Sequence, residues 1–73
     1  MNRDILLKKF GKNVKIERIK KDLTQEQLAE LMGVSQNYVA SIECGQANMS
    51  FLKIYQLAIT LNTDIVNLVK IEG

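Results

Sequence analysis

Apolar residues recur along this chain at the three- and four-residue intervals of one helix face, and with the start signals they predict five helices. The first covers Asp4 to Lys21, with Leu7, Phe10, Val14 and Arg18 on one stripe, so that an arginine stands where the pattern asks for an apolar residue. Gly11 lies inside it and costs about 1 kcal/mol relative to alanine, so either another helix passes close by or this one bends there. Thr24 opens helix 2 as N-cap, and Gln27 completes a capping box before Leu28, Leu31 and Met32. Gly33 ends it, and Ser35 caps helix 3, which turns Val39 and Ile42 inward and stops near Gly45. Ser50 caps helix 4, whose Phe51, Ile54, Tyr55, Leu57, Ala58 and Leu61 form a broad face expected to be core. Thr63, with Asp64 in the first turn, opens helix 5, where Ile65, Val66, Leu68, Val69 and Ile71 are apolar almost all round and need cover on more than one side. The fold class is all-α, a single five-helix domain over residues 1–73.

Two of these helices are joined by a turn of unusual economy. Ala29 is small where helices 2 and 3 must meet, Gly33 can take the positive φ of a sharp turn, and Leu28, Val34, Val39 and Ile42 are apolar where the pair must rest on a core. Thr24 to Gly45 is therefore expected to be a helix-turn-helix, with residues 35–44 as the helix that enters the major groove.

Size and composition narrow the classes. A chain of 73 residues buries only about 60% of its unfolded surface on folding alone, so packing must be efficient or a partner must help. One cysteine and no histidine exclude an internal disulfide and a Cys/His zinc site, and a reducing cytoplasm is the expected setting. No apolar run approaches the roughly 18 residues of a membrane span, and the N-terminus does not lead into a signal peptide. The net charge of +2 hides an asymmetry, because residues 1–21 carry eight of the ten basic residues and only Asp4 and Glu17 as acids. Such a segment suits a polyanionic partner, although a solvated helix face explains the same run.

The run Thr-Gln-Glu-Gln-Leu-Ala at 24–29, Gly-Val-Ser at 33–35, Ile-Glu-x-Gly at 42–45 and a following helix of the type Ile-x-x-Leu-Ala-x-x-Leu resembles the Cro/C1-type (XRE) helix-turn-helix family of phage repressors and restriction-modification controller proteins. The resemblance extends from Phe10 to Leu68. It implies a five-helix, lambda-repressor-like fold, dimeric binding to operator DNA and a phosphate-binding role for Gln25. Glu17 departs from it, since the family usually has an apolar residue there; with Ile16 and Ile19 on either side, the packing register of helix 1 stays open.

Projecting helix 3 at 100° per residue turns Val39, Ile42 and Glu43 to the core and Asn37, Ala40, Ser41 and Cys44 outward, with Gln36 at the N-terminal end. Gln and Asn bond adenine N6 and N7 bidentately, so Gln36, Asn37 and Ser41 are the candidate base readers, against the alternative that they are ordinary solvated residues. No lysine or arginine occurs between Met32 and Leu52, so contacted positions should hold adenine rather than guanine. Tyr38 either reaches a phosphate or packs on the surface. The N-terminus of helix 2 with Gln25 should anchor a phosphate, and Gln46 and Asn48 offer neutral donors in a loop where the family often carries basic residues. Arg18 and Glu43 are expected to form a buried ion pair, as an arginine and a glutamate do in phage repressors of the family, with a structural role. Cys44 has no resolving cysteine and no nearby histidine or lysine, so no redox role is expected.

The leading reading is a sequence-specific transcriptional regulator that binds a palindromic operator in double-stranded DNA as a homodimer, because one recognition helix contacts too few bases for useful specificity. Helix 5 and adjoining parts of helix 4, with Ile65, Leu68, Val69 and Ile71, are expected to form the dimer interface; the alternative is that helix 5 closes the monomer core. A second reading is an antitoxin or adaptor module that grips a protein through its C-terminal helix. Enzymatic activity is not expected, as there is no histidine base and no carboxylate pair beside a nucleophile. No cofactor, metal, membrane or small-molecule ligand is anticipated.

Overall fold

A computed structural model describes residues 2–71. Among them there are five helices and no strand: α1 (Arg3–Lys20), α2 (Gln25–Met32), α3 (Gln36–Glu43), α4 (Phe51–Thr60) and α5 (Ile65–Val69). Every helix starts on a side chain that accepts a hydrogen bond from the first-turn backbone: Asn2, Thr24, Ser35, Ser50 and Asp64. The Thr24–Gln27 capping box is complete, with bonds of 3.0 and 2.9 Å in its two directions. The first four helices also end alike. A residue at positive φ (Asp22, Gly33, Gly45, Asn62) follows each. The next amide then bonds a carbonyl five residues back: Leu23 to Arg18, Val34 to Ala29, Gln46 to Ser41 and Thr63 to Ala58. These closures reverse the chain within a few residues and fix where each following helix begins.

α1 lies across α3 and α5, α2 packs on α3 and α4, and α4 meets α5. The core between them is aliphatic, with Val14, Leu28, Val39, Ile42, Leu57, Leu61 and Leu68 almost wholly buried, so that every helix contributes. Gly11 marks the tightest crossing. A Cβ built there would overlap the Ile42 carbonyl oxygen and stand 2.7 Å from that of Glu43, so the close-approach explanation of this glycine holds. No described helix is long and apolar enough to cross a membrane.

Three expectations change. In α4, Leu57, Ala58 and Leu61 are core, but Phe51 is 73% and Tyr55 48% exposed, so the broad face wraps around the helix instead of facing one way. In α5, Asp64 and not Thr63 is the cap, and Leu68 is fully buried against this chain's own core, which removes it as a residue free to meet a second copy. Ile65 is partly buried against the same core, Ile71 lies beyond the helix and is half-buried, and Val69 is exposed.

The third concerns Glu17, which is buried at a place where an apolar residue would be expected, while Ile16 and Ile19 face solvent. Its carboxylate accepts from Thr63 Oγ1 at 2.8 Å and from Lys20 Nζ at 3.1 Å, and Asn67 Nδ2 donates in turn to Thr63 Oγ1 at 3.0 Å. Asn13 Nδ2 adds bonds to the Leu68 and Lys70 carbonyl oxygens at 2.9 and 2.8 Å. Polar side chains thus fasten α5 to α1, compensating for the small apolar area that five residues can bury. The Thr63 hydroxyl bond lowers the Glu17 carboxyl below its ordinary range; burial opposes this, and Lys20 and Lys21 reinforce it. A lowered folded-state value means stability that is present above the unfolded value, 4.5, and lost as pH falls through the folded one. The expected outcome is that Glu17→Gln flattens the acid limb of a plot of urea midpoint against pH, while the wild type loses stability steadily below that value.

Candidate nucleic-acid interface

The α2–α3 unit owes its shape to the turn Gly33-Val34-Ser35. Gly33 has φ +71° and open space around it, so its requirement is conformational: a side chain would strain the backbone without striking a neighbour. Val34 then tucks against the core, and Ser35 Oγ accepts from the Tyr38 amide at 3.1 Å to start α3. The result places the first residue of α2, Gln25, and the first of α3, Gln36, on the same open cleft of about 460 Å³, bordered also by Arg18, Asp22, Thr24 and Glu26.

Gln36 and Asn37 are exposed, whereas Ser41 is half-buried, with its carbonyl accepting from the Gln46 amide at 2.8 Å. Beneath this surface Arg18 and Glu43 form a two-pronged ion pair, Nε to Oε2 at 2.7 Å and Nη2 to Oε1 at 3.1 Å, with side chains only 11% and 3% exposed. Arg18 Nη1 also donates to the Leu23 carbonyl at 2.7 Å, which closes the α1–α2 connection. Gln25 is half-buried and donates from Nε2 to Glu43 Oε1 at 3.1 Å. No buried side-chain polar atom among the described residues lacks a partner.

The remaining candidates are dispersed. Tyr38 is half-buried, with its ring against the core cluster, and opens on a groove of about 280 Å³ shared with Leu31, Met32, Lys53 and Gln56. Lys53 was not singled out from the sequence, because nothing local links it to Tyr38; the packing of α4 on α2 brings the two together. Gln46 is exposed after α3, but Asn48 borders a different cleft, between Leu6, Phe10, Met49 and Val69, away from Gln25 and Gln36. The basic charge of α1 is divided too: Lys9, Lys12 and Lys20 gather with Lys70 on the side of α1 that faces α5.

Comparison with known proteins places this architecture. The helix-turn-helix family model HTH_3 matches residues 14–68. The control protein C.SmaI of Serratia marcescens is 36% identical over 64 residues, 88% of this chain and 76% of that protein. The ImmF control region 10 kDa protein of Bacillus phage phi105 is 34% identical over 58 residues, 80% of this chain and 64% of that one. Among solved structures, the restriction-modification controller protein C.AhdI of Aeromonas hydrophila superposes with a TM-score of 0.79 at 40% identity, covering 85% of this chain and 94% of that one. The clp gene regulator ClgR of C. glutamicum, at 23% identity and a TM-score of 0.85 over 89% of this chain and 83% of that one, shares the fold. With the tight two-helix unit and a family match over most of its length, this chain belongs to the HTH_3, XRE-type family of helix-turn-helix transcription regulators.

Proposed function

We propose that the protein is a sequence-specific regulator that binds a dyad-symmetric DNA site as a homodimer, with α3 in the major groove. The observation that carries this reading is that Gln36, at the leading end of α3, shares one open cleft with Gln25 at the start of α2, with Asn37 exposed next to it in the chain. Gln36 and Asn37 offer paired donor and acceptor atoms to adenine, and Gln25 with the free amides of α2 offers donors to a phosphate. Ser41, being half-buried, contributes at the rim of the contact.

The dimer is supported by apolar surface that a small monomer would not leave in water. Phe51, Leu52, Tyr55 and Ile59 run along the outer side of α4 and are all exposed, with the ring centroids of Phe51 and Tyr55 6.5 Å apart. Val66 and Val69 of α5 are exposed as well. Exposed apolar side chains aligned along one helix in this way favour an interface. Within an interface of α5 and adjoining α4, the weight then lies on the α4 side chains and Val69 more than on Ile65 and Ile71. A two-fold pair joined there must present its recognition helices one DNA turn apart, about 34 Å.

Selection of bound sequences from a random duplex pool is expected to enrich an adenine-containing dyad, with sedimentation showing a dimer at working concentration. Gln36→Ala should relax preference at one base position per half-site by about 1–3 kcal/mol, and Gln25→Ala should weaken all duplexes alike. Failure to enrich any symmetric site would overturn the proposal.

A further inference from the structure

Gln25 does not stand free at the head of α2. Its Nε2 donates to Glu43 Oε1 at 3.1 Å, and the same oxygen accepts from Arg18 Nη2 at 3.1 Å. The other carboxylate oxygen is held by Arg18 Nε at 2.7 Å, and Arg18 is itself fixed by the Leu23 carbonyl at 2.7 Å. One side chain from each of three helices is therefore locked into a single network, in which Gln25 is half-buried at the surface and the edge of Arg18 borders the same cleft. The side chain of Glu43 is 3% exposed, too deep to meet a nucleic acid.

An amide NH₂ has two hydrogens. With one committed inward to Glu43, the second N–H and the carbonyl oxygen of Gln25 are left for the cleft shared with Gln36. A glutamine free to rotate would lose its rotamer freedom on gripping a phosphate; one already tied down has lost part of it beforehand. We infer that Glu43, oriented by Arg18, is a positioning residue for DNA binding: it presets the Gln25 amide for a backbone phosphate without touching DNA itself. This rests on the proposed DNA-binding role of Gln25 and adds a claim about how that role is prepared.

The test is a double-mutant cycle on the full chain, with Kd measured on the selected site and on an unrelated duplex at a temperature where circular dichroism shows every variant folded. Glu43→Gln is expected to weaken both duplexes about three- to tenfold without changing base preference, and to have no further effect once Gln25 is alanine. Equal losses from Glu43→Gln in both backgrounds would show that the carboxylate acts only through stability and would overturn the inference. A Gln25→Ala variant that binds as well as wild type would instead remove the phosphate role itself, so the two failures are distinguishable. A measurement on the unmodified protein guards against a variant that does not fold. The Gln25 side-chain amide should show ¹⁵N order parameters near those of rigid backbone in the absence of DNA; values as low as those of exposed Gln36 would sink the positioning claim.

Discussion

Gly11→Ala is expected to cost the protein about 3 kcal/mol or more, a large share of its stability, seen as a marked fall of the urea midpoint and of the melting temperature. On local grounds the change should help, since alanine in a helix interior is favoured over glycine by about 1 kcal/mol. Tertiary structure reverses the sign. The added Cβ would meet the carbonyl oxygens of Ile42 and Glu43, the latter at 2.7 Å, and these are backbone atoms in the last turn of α3 that no rotamer change can move. α1 and α3 would have to part, loosening Val14, Val39 and Ile42 at the centre of the core. Overpacking costs about 1–3 kcal/mol where side chains can yield, and a clash with fixed backbone belongs at or above the top of that range. A domain of this size has total stability of about 4–10 kcal/mol. If Gly11→Ala were as stable as wild type, the crossing of α1 over α3 would have to be looser than described.

Arg18→Met should cost about 3–5 kcal/mol, because it leaves the Glu43 carboxylate buried with one neutral donor, Gln25, in place of a two-pronged cation. The methionine keeps most of the aliphatic stem, so the loss reports the charge and the Leu23 bond more than packing. Replacing both members, Arg18→Met with Glu43→Leu, is expected to recover much of that stability, since the cost of an unpaired buried charge disappears. The double variant should nevertheless bind DNA more weakly than wild type, because Gln25 has lost its tether. Thermal melts of the single and double variants, read beside their DNA affinities, separate the two contributions; a double variant no more stable than Arg18→Met alone would contradict the account of the pair.

Gly11 and Arg18 also show what could be read in the chain before it was folded. A glycine inside a helix and an arginine on an apolar stripe each break a local rule, and both lie where α1 crosses the α2–α3 unit. The violations were visible, and for Arg18 the partner was too, since projecting α3 turned Glu43 inward. The caps Thr24, Ser35 and Ser50 and the turn at Gly33 were legible because capping and positive φ depend on residues only a few positions apart. Asp22 and Asn62, which close α1 and α4 with the same geometry, were not, because those residue types occur in many other settings.

What the sequence by itself determined is the set of five helices, the tight α2–α3 unit and the polar leading edge of α3, all consequences of contacts within about one helical turn. Only the tertiary structure decided which side of each apolar helix is covered. α4 and α5 are apolar around most of their circumference, so periodicity could not choose a face, and the choice fell to packing: Leu57, Leu61 and Leu68 inward, Phe51, Tyr55 and Val69 outward. The same holds for Glu17 and Gln25, whose partners Thr63 and Glu43 lie 46 and 18 residues away. A hydrogen bond across that distance leaves no periodic trace, because it depends on where helices come to rest and not on the spacing of residues along any one of them.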